Sequence, residues 1–212
     1  SSYTLPMYRN GQFFGFVFLN SRTQEAFRGG VAAELEPYLH LVANLVINDL
    51  NAALTLSGAV EVASDLSHHR DPETGNHLER MARYSRQIAI ALAPDHGFDD
   101  ELIENIFRFA RLHDVGKLAV ADEILLKPGP LTAAEFEHMK THTTRGREIV
   151  DRILGHHALD NLRQVQLLRD IVESHHEALN GSGYPNGLRG EAIPIAARIT
   201  AVADVFDALT SE

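Results

Sequence analysis

Twelve histidines stand among 29 acidic residues in this chain, and several lie beside a carboxylate or beside each other. Imidazole nitrogen with carboxylate oxygen suits Fe, Mn, Zn or Mg. His113-Asp114 follows an apolar stretch containing Phe107, Ala110 and Leu112 and precedes Gly116-Lys117. On a helix, adjacent residues project about 100° apart, so this pair converges only on an ion at the helix edge. Alone, such a dipeptide is as well explained as a surface capping pair. His175-His176 continues a stripe formed by Leu167-Leu168 and Ile171-Val172 at steps of four. Two adjacent imidazoles on an apolar stripe are costly unless they share a partner, and a metal would be one. Glu177 could orient a ligand or face solvent.

Asp204 lies on a face of small residues, Ala197, Ala201 and Ala208, opposed to a larger stripe of Ile195, Ile199, Val202, Phe206 and Leu209. Small residues allow close helix approach, so Asp204 is expected to be buried and to need a cation or a donor. Asp207 is expected to be the exposed acid. Glu73 and His77 are four apart, as are His138 and His142, so each pair shares a helix face. His142 is favoured over His138 as the inward imidazole. His40, His96, His68-His69 and His156-His157 sit in polar or loop surroundings and are expected to face solvent.

The elements that must position these groups change character along the chain. Residues 1–30 read as two strands, Tyr3 to Tyr8 and Gln12 to Leu19, around Asn10-Gly11, a dipeptide suited to a type I′ turn. Two strands do not make a stable domain, so this reads as the tail of a larger N-terminal domain. Residues 31–63 read as a connecting helix. Its Leu39, Val42, Val46, Asp49, Ala53, Leu56, Val60 and Ala63 follow the three-four spacing of a coiled-coil seam, interrupted at Asp49. A helix packed on its own domain explains the pattern equally well.

From about residue 64 to 212 no convincing strand appears. Breakers at Asp71-Pro72, Pro94, Lys127 to Pro130, Gly155 and Gly181 to Pro194 delimit helices. Thr132 with Glu135 forms a capping box opening a helix expected through Val150. The fold class is therefore all-α, a helical bundle.

At 44% hydrophobic and 23% charged, the 212-residue chain is neither disordered nor fibrous. Its formal charge of −10 argues against a nucleic-acid polymer held on a basic face. Absence of cysteine excludes disulfides, thiolate metal sites and cysteine nucleophiles. No apolar run approaches the roughly 20 residues of a membrane span, and no secretory signal opens the chain, so a cytoplasmic location is expected.

Taken in order, Asp71 to His77 (DPETGNH), His113 to Lys117 (HDVGK), Asp122 to Leu131 with KPGPL, Met139 to His142, His175 to Glu177 (HHE), Asn180 to Pro185 (NGSGYP), Gly187-Leu188, Ile193-Pro194 and Ala203 to Leu209 (ADVFDAL) cover about 140 residues. Each piece is weak; the series is specific. It resembles the HD-GYP domain family, a branch of the HD phosphohydrolase superfamily, and the N-terminal strands resemble the end of a GAF-type sensory domain. The resemblance implies hydrolysis of cyclic di-GMP to the linear dinucleotide pGpG and/or GMP, under control of the sensory domain. It implies two or three divalent ions, usually iron or manganese, with Glu73, His77, His113, Asp114, His142, His175, His176 and Asp204 as ligands and Asp114 bridging. Lys117 would contact phosphate and assist the leaving group, Gly183, Tyr184 and Pro185 would line the nucleotide pocket, and Asp71 would reach a guanine.

The family continues beyond the ADVFDALTS stretch with a basic phosphate-binding segment and further helices, which would lie past Glu212. After HHE this sequence has Ala178-Leu179-Asn180, where the family often has an aromatic and an acid. Other readings stay open: an HD phosphohydrolase acting on cyclic GMP-AMP or guanosine tetraphosphate, a catalytically silent module that binds a cyclic dinucleotide or a signalling protein, or a helical di-iron redox protein. A homodimer through the connecting helix is a further expectation.

Overall fold

The computed structural model describes residues 1–9, 11–70, 75–156 and 164–211. Asn10, Asp71, Glu73 and His157 fall outside them, as do the side chains of Asp49, Ala53, Leu56, Val60, His68, His69 and His156. The chain is mostly helical with one small sheet, and it divides into two compact units, Ser1–Thr55 and Leu56–Glu212. Among the described residues no helix is long and apolar enough to cross a membrane.

The first unit contains β1 (Ser2–Arg9) and β2 (Gln12–Asn20), paired antiparallel, and the start of α1 (Val31–Arg70). The register breaks between Met7, opposite Gly15, and Tyr8, opposite Phe13, leaving Phe14 as the extra residue of a bulge. Phe14 and Val17 therefore pack inward on Met7, Ala43 and Ile47. Phe13, Phe16 and Phe18 share the outer, exposed face. On α1 the buried stripe is Leu39, Ala43 and Ile47 at steps of four. The expected seam members Val42 and Val46 are instead exposed, because the hairpin covers the neighbouring face of the helix.

The second unit contains α2 (Gly75–His96), α3 (Asp100–Ala110), a 3-10 turn at Val115–Ala119, α4 (Asp122–Leu125) and α5 (Ala133–Lys140). It continues with α6 (His142–His156), α7 (Gln164–Ser174), a 3-10 turn at Gly190–Ala192 and α8 (Ile195–Thr210). α2 packs on α3 and α8, α7 packs on α3, α6 and α8, and the 3-10 turn at Val115–Ala119 packs on α6. Met81, Ile106, Leu154, Ile171, Ile193 and Ile199 are fully buried among these elements. Asp99 caps α3 by accepting the Leu102 N–H, and Thr132 with Glu135 forms both halves of a capping box on α5.

Several boundaries differ from the sequence reading. Pro94 lies inside the last turn of α2; the stop is Gly97 at φ +68°, whose N–H bonds the Ala93 carbonyl. The helix opened by Thr132 does not run unbroken to Val150. It ends at Lys140, Thr141 turns the chain, and His142 starts α6. α3 stops at Ala110, so His113 and Asp114 stand on the following turn rather than on a helix.

The packing face of α8 also differs. Ala196, Ala197, Ile199, Thr200, Ala203 and Asp207 are buried, whereas Val202, Phe206 and Leu209 are exposed. Small residues let α2 and α7 approach closely, and that contact, rather than side-chain size, selects the inner face.

Candidate metal centre

Five separate elements deliver the chemically active side chains to one place. His77 comes from the first turn of α2 and Asp204 from the middle of α8. His113 and Asp114 come from the turn after α3, and His142 is the first residue of α6. His175 and His176 follow the end of α7. The turn at Thr141 brings His142 inward, and α7's buried stripe of Leu168, Ile171 and Val172 continues into His175.

These donors fall into two groups that could each hold a cation: Asp114, His142, His175 and His176, and His77, His113 and Asp204. Asp114 faces both. Its Oδ1 lies 3.2 Å from His142 Nε2 and 3.6 Å from His175 Nε2, and its Oδ2 lies 3.2 Å from His113 Nε2. The Nε2 atoms of His142 and His175 are 3.4 Å apart, as are His77 Nε2 and Asp204 Oδ1. Two donors each about 2.1 Å from one ion, at octahedral or tetrahedral angles, sit about 3.0–3.4 Å from each other. Most of these separations fall in or near that range. His175 Nε2 at 3.6 Å from Asp114 Oδ1 and His113 Nε2 at 3.9 Å from Asp204 Oδ1 stand wider. The donors of each group all lie within 4.8 Å of one another, which leaves room for a cation.

Hydrogen bonding at the far side of the rings fixes what they present. His113 Nδ1 donates to the Ala110 carbonyl at 2.9 Å, His142 Nδ1 to Met139 at 2.8 Å, and His175 Nδ1 to Ile171 at 3.0 Å. A carbonyl only accepts, so each Nδ1 bears a proton, and each ring in its neutral form turns the Nε2 lone pair toward Asp114. His113 Nε2 and Asp114 Oδ1 are buried without a hydrogen-bond partner among the described residues. Imidazole nitrogens and a carboxylate crowded together in a desolvated space need positive charge between them, a proton on the rings or a shared cation.

The electrostatics follow from this crowding. Burial pulls His113 down, but the Asp114 carboxylate, with Asp204, more than offsets it and raises its pKa to about 9. Burial and the neighbouring imidazoles of His175 and His142 push His176 down to about 3, and burial likewise lowers His175. Asp114 resists the upward pull of burial because His113, His142 and His175 surround it, and it falls well below its usual value. Asp204 is lowered despite burial by its bond to His77. Cation uptake here would displace a proton from His113.

Above the donors opens a cavity of about 380 Å³ whose lining includes Asp114, Lys117, His142, His176, Tyr184 and Asp204. Lys117 Nζ stands 2.9 Å from Asp114 Oδ2. The Tyr184 ring tilts over His176 with centroids 4.7 Å apart, and burial followed by the Asp114 charge raises its phenol pKa. Glu177 is buried beneath the loop that carries Gly183, Tyr184 and Pro185. Its carboxylate accepts the N–H groups of Asn186 at 2.7 Å and Leu188 at 2.9 Å. A Cβ on Gly183 would come within 2.3 Å of the Ala178 nitrogen, so only glycine permits this loop to lie on the His176–Ala178 backbone.

The structure therefore brings together His77, His113, Asp114, His142, His175, His176 and Asp204, with Lys117 and Tyr184 at the rim. Asp71 and Glu73 lie outside the described residues, and His138 and His40 are exposed. The expectation for the acids of α8 is corrected. Asp207 is the buried one, at 1% side-chain exposure, while Asp204 keeps 24% because it faces the cavity. Asp207 accepts Arg80 Nε and Nη2 at 2.6 and 2.8 Å and His77 Nδ1 at 2.7 Å, and Arg80 draws its pKa down to about 2. Sequence reasoning passed over Arg80. The available signal was spacing: Arg80 is three residues after His77 and Asp207 three after Asp204, one turn along the same faces.

Comparison with known proteins agrees with this geometry. The HD domain family pattern matches residues 61–212. A probable cyclic di-GMP phosphodiesterase of Vibrio cholerae is 43% identical over 153 residues, 69% of this chain and 34% of that protein. A cyclic di-GMP phosphodiesterase of Thermotoga maritima is 44% identical over 152 residues, 72% of this chain and 38% of that protein. A second Vibrio cholerae protein, 3'3'-cGAMP-specific phosphodiesterase 2, is 39% identical over 171 residues, 81% of this chain and 29% of that protein. The chain thus spans about a third of the length of these curated relatives. With its paired donor groups, its GYP loop and a family match over residues 61–212, the chain belongs to the HD domain family, in the HD-GYP branch.

Proposed function

We propose that this chain carries the hydrolytic core of a metal-dependent phosphodiesterase that opens cyclic di-GMP to pGpG and/or GMP. The observation that carries this reading is the single carboxylate, Asp114, facing two donor groups at 3.2 Å on either side beneath a cavity rimmed by a lysine. Asp114, His142, His175 and His176 would hold one cation, and His77, His113 and Asp204, with Asp114 shared, the other. Glu73 is the candidate ligand of a third ion. Iron or manganese suits such mixed imidazole and carboxylate donors. Bound cations of this kind lower the pKa of coordinated water toward about 7 and neutralise phosphoryl charge.

The protein's own groups have distinct work. Carbonyl-bound Nδ1 protons keep His113, His142 and His175 in the tautomer that ligates. Lys117 brings a positive charge to the mouth of the cavity, where phosphoryl oxygens gather negative charge in the transition state. Tyr184, held on the loop with Gly183 and Pro185, would give a nucleotide base a wall to lie against, and Glu177 fixes that loop. Asp71 is assigned to guanine contact by family resemblance alone.

Regulation by an N-terminal GAF-type domain, of which residues 1–30 would be the end, belongs to the same reading. So do self-association through α1, contact with signalling proteins and a cytoplasmic site of action. A second reading, hydrolysis of 3'3'-cGAMP, is favoured by the 39% identity to a phosphodiesterase specific for that dinucleotide over 81% of the chain. Manganese- or iron-loaded protein, offered each dinucleotide separately with product analysis by chromatography, decides between them. Folded, metal-loaded protein that cleaves neither would overturn both.

A further inference from the structure

Three of the ligating imidazoles take their orientation from backbone carbonyls, an arrangement that no single side-chain change removes. His77 differs. Its Nδ1 meets Asp207 Oδ2 at 2.7 Å, and both oxygens of that buried carboxylate are engaged by Arg80. Arg80 is braced in turn by a 2.7 Å bond to Ser211 Oγ. His77 and Arg80 stand one turn apart on α2, and Asp204 and Asp207 one turn apart on α8. The two packed helices thus form a clip in which one turn supplies the donors and the next supplies what orients them.

We infer that Asp207 is a positioning residue for His77, and that the Arg80–Asp207 pair sets cation affinity in the His77, His113 and Asp204 group without acting on the other group. The inference rests on the metal-centre reading above. A carboxylate bonded to the far nitrogen of a ligating imidazole fixes the ring's tautomer and heading and makes it a better donor. Losing such a partner typically costs about 10–100-fold in metal affinity. Selectivity follows from geometry: His142 and His175 lean on main-chain oxygens of α5 and α7 and need nothing from Asp207. Arg80 contributes by aiming the buried carboxylate through two charge-assisted bonds.

The test is a titration of chelator-stripped protein with manganese(II), reading unbound ion by its electron paramagnetic resonance signal. In Asp207→Ala one binding step should weaken about 10–100-fold, with the remaining uptake within about twofold of the parent. Asp207→Asn should show a smaller loss in the same step, since its amide oxygen still accepts from His77 without the charge. His77→Ala should weaken that step too, and adding Asp207→Ala to it should cost little more, because the pair acts as one unit. All steps weakening together, additive losses in the double variant, or no change in any variant would overturn the inference. Should Asp207→Ala fail to fold, Asp207→Asn and Arg80→Met decide by the same criteria. Parent protein that takes up no manganese at all would instead overturn the metal-centre reading.

Discussion

Lys117 and Asp114 lie one 3-10 turn apart, and the ammonium rests 2.9 Å from the carboxylate oxygen that also faces His113. Nothing about holding cations requires a positive side chain there; a lysine beside the candidate ligands would compete with a metal for the same oxygen. On the proposed function, a phosphate anion entering the cavity accounts for it. Replacing it by Met should therefore lower single-turnover hydrolysis by about 10²–10³-fold, the usual loss when one preorganised charge on the transition state is removed. Metal content by elemental analysis should stay at the parent level, and a parallel loss of metal would show that Lys117 merely supports the fold. At this scale the sequence was informative where residue type alone carries meaning. Adjacent imidazoles on an apolar stripe point to His175 and His176, whereas the His113-Asp114 pair draws its weight only from the apolar residues before it and the Gly-Lys after it. It was misleading for Asp204 and Asp207, because two aspartates one turn apart are alike in type. Only the closeness of Arg80 decides which is buried.

Between elements, the tightest constraint is the crossing of the Val115–Ala119 turn over α6. A Cβ on Gly116 would stand 1.7 Å from the His142 carbonyl oxygen and 2.5 Å from the Gly146 nitrogen, both backbone atoms that cannot swing aside. Gly116→Ala should thus force Asp114 and His142 apart, with overpacking costing about 1–3 kcal/mol or more. Thermal unfolding should show that loss together with loss of metal content. Unchanged metal content would mean that the two elements separate without disturbing the donors. A second constraint holds the entrance to α5, where Lys127 and then the Thr132 backbone and hydroxyl bring Glu135 from 4.5 to about 2. A carboxylate with a depressed folded pKa stabilises above its unfolded value and loses that contribution as pH falls through the folded one. Glu135→Gln should accordingly lower the urea midpoint at neutral pH, with the gap to the parent closing between pH 4.5 and about 2. A gap independent of pH would remove the charge from the explanation. The capping box at Thr132 was legible because its signature is local. The inner face of α8 was not, since it is set by helices distant in sequence. The break at Thr141, where the N–H and hydroxyl both bond the His138 carbonyl, carries no breaker residue to announce it.

Over the whole molecule, the covered and uncovered faces of α1 carry separate messages. Leu39, Ala43 and Ile47 turn inward, while Tyr38, Leu41 and Leu45 are exposed at steps of three and four, flanked by exposed Val42 and Val46. The next position of that spacing is Asn48, exposed and polar, so the apolar series is short. The seam sought in the sequence is thus divided: Leu39 goes to the hairpin side and Val42 and Val46 to water. Two apolar series share this helix, and only the hairpin shows which one is taken. A three-four repeat of apolar residues left in water is the pattern that a second identical helix covers. These side chains are already part-covered, so each yields less than the ~1.5–3 kcal/mol of full burial. Association itself costs about 4 kcal/mol or more, so the expected dimer is weak and dissociates on dilution. Light scattering should then climb from the 23.5 kDa chain mass toward twice that value as concentration rises from about 1 μM to 1 mM. Leu41→Glu combined with Leu45→Glu should hold the single mass throughout, because facing carboxylates in the seam repel while the inner stripe against Met7 is untouched. A parent protein that stays at the single mass across that range, with unchanged secondary structure, would remove self-association through this face.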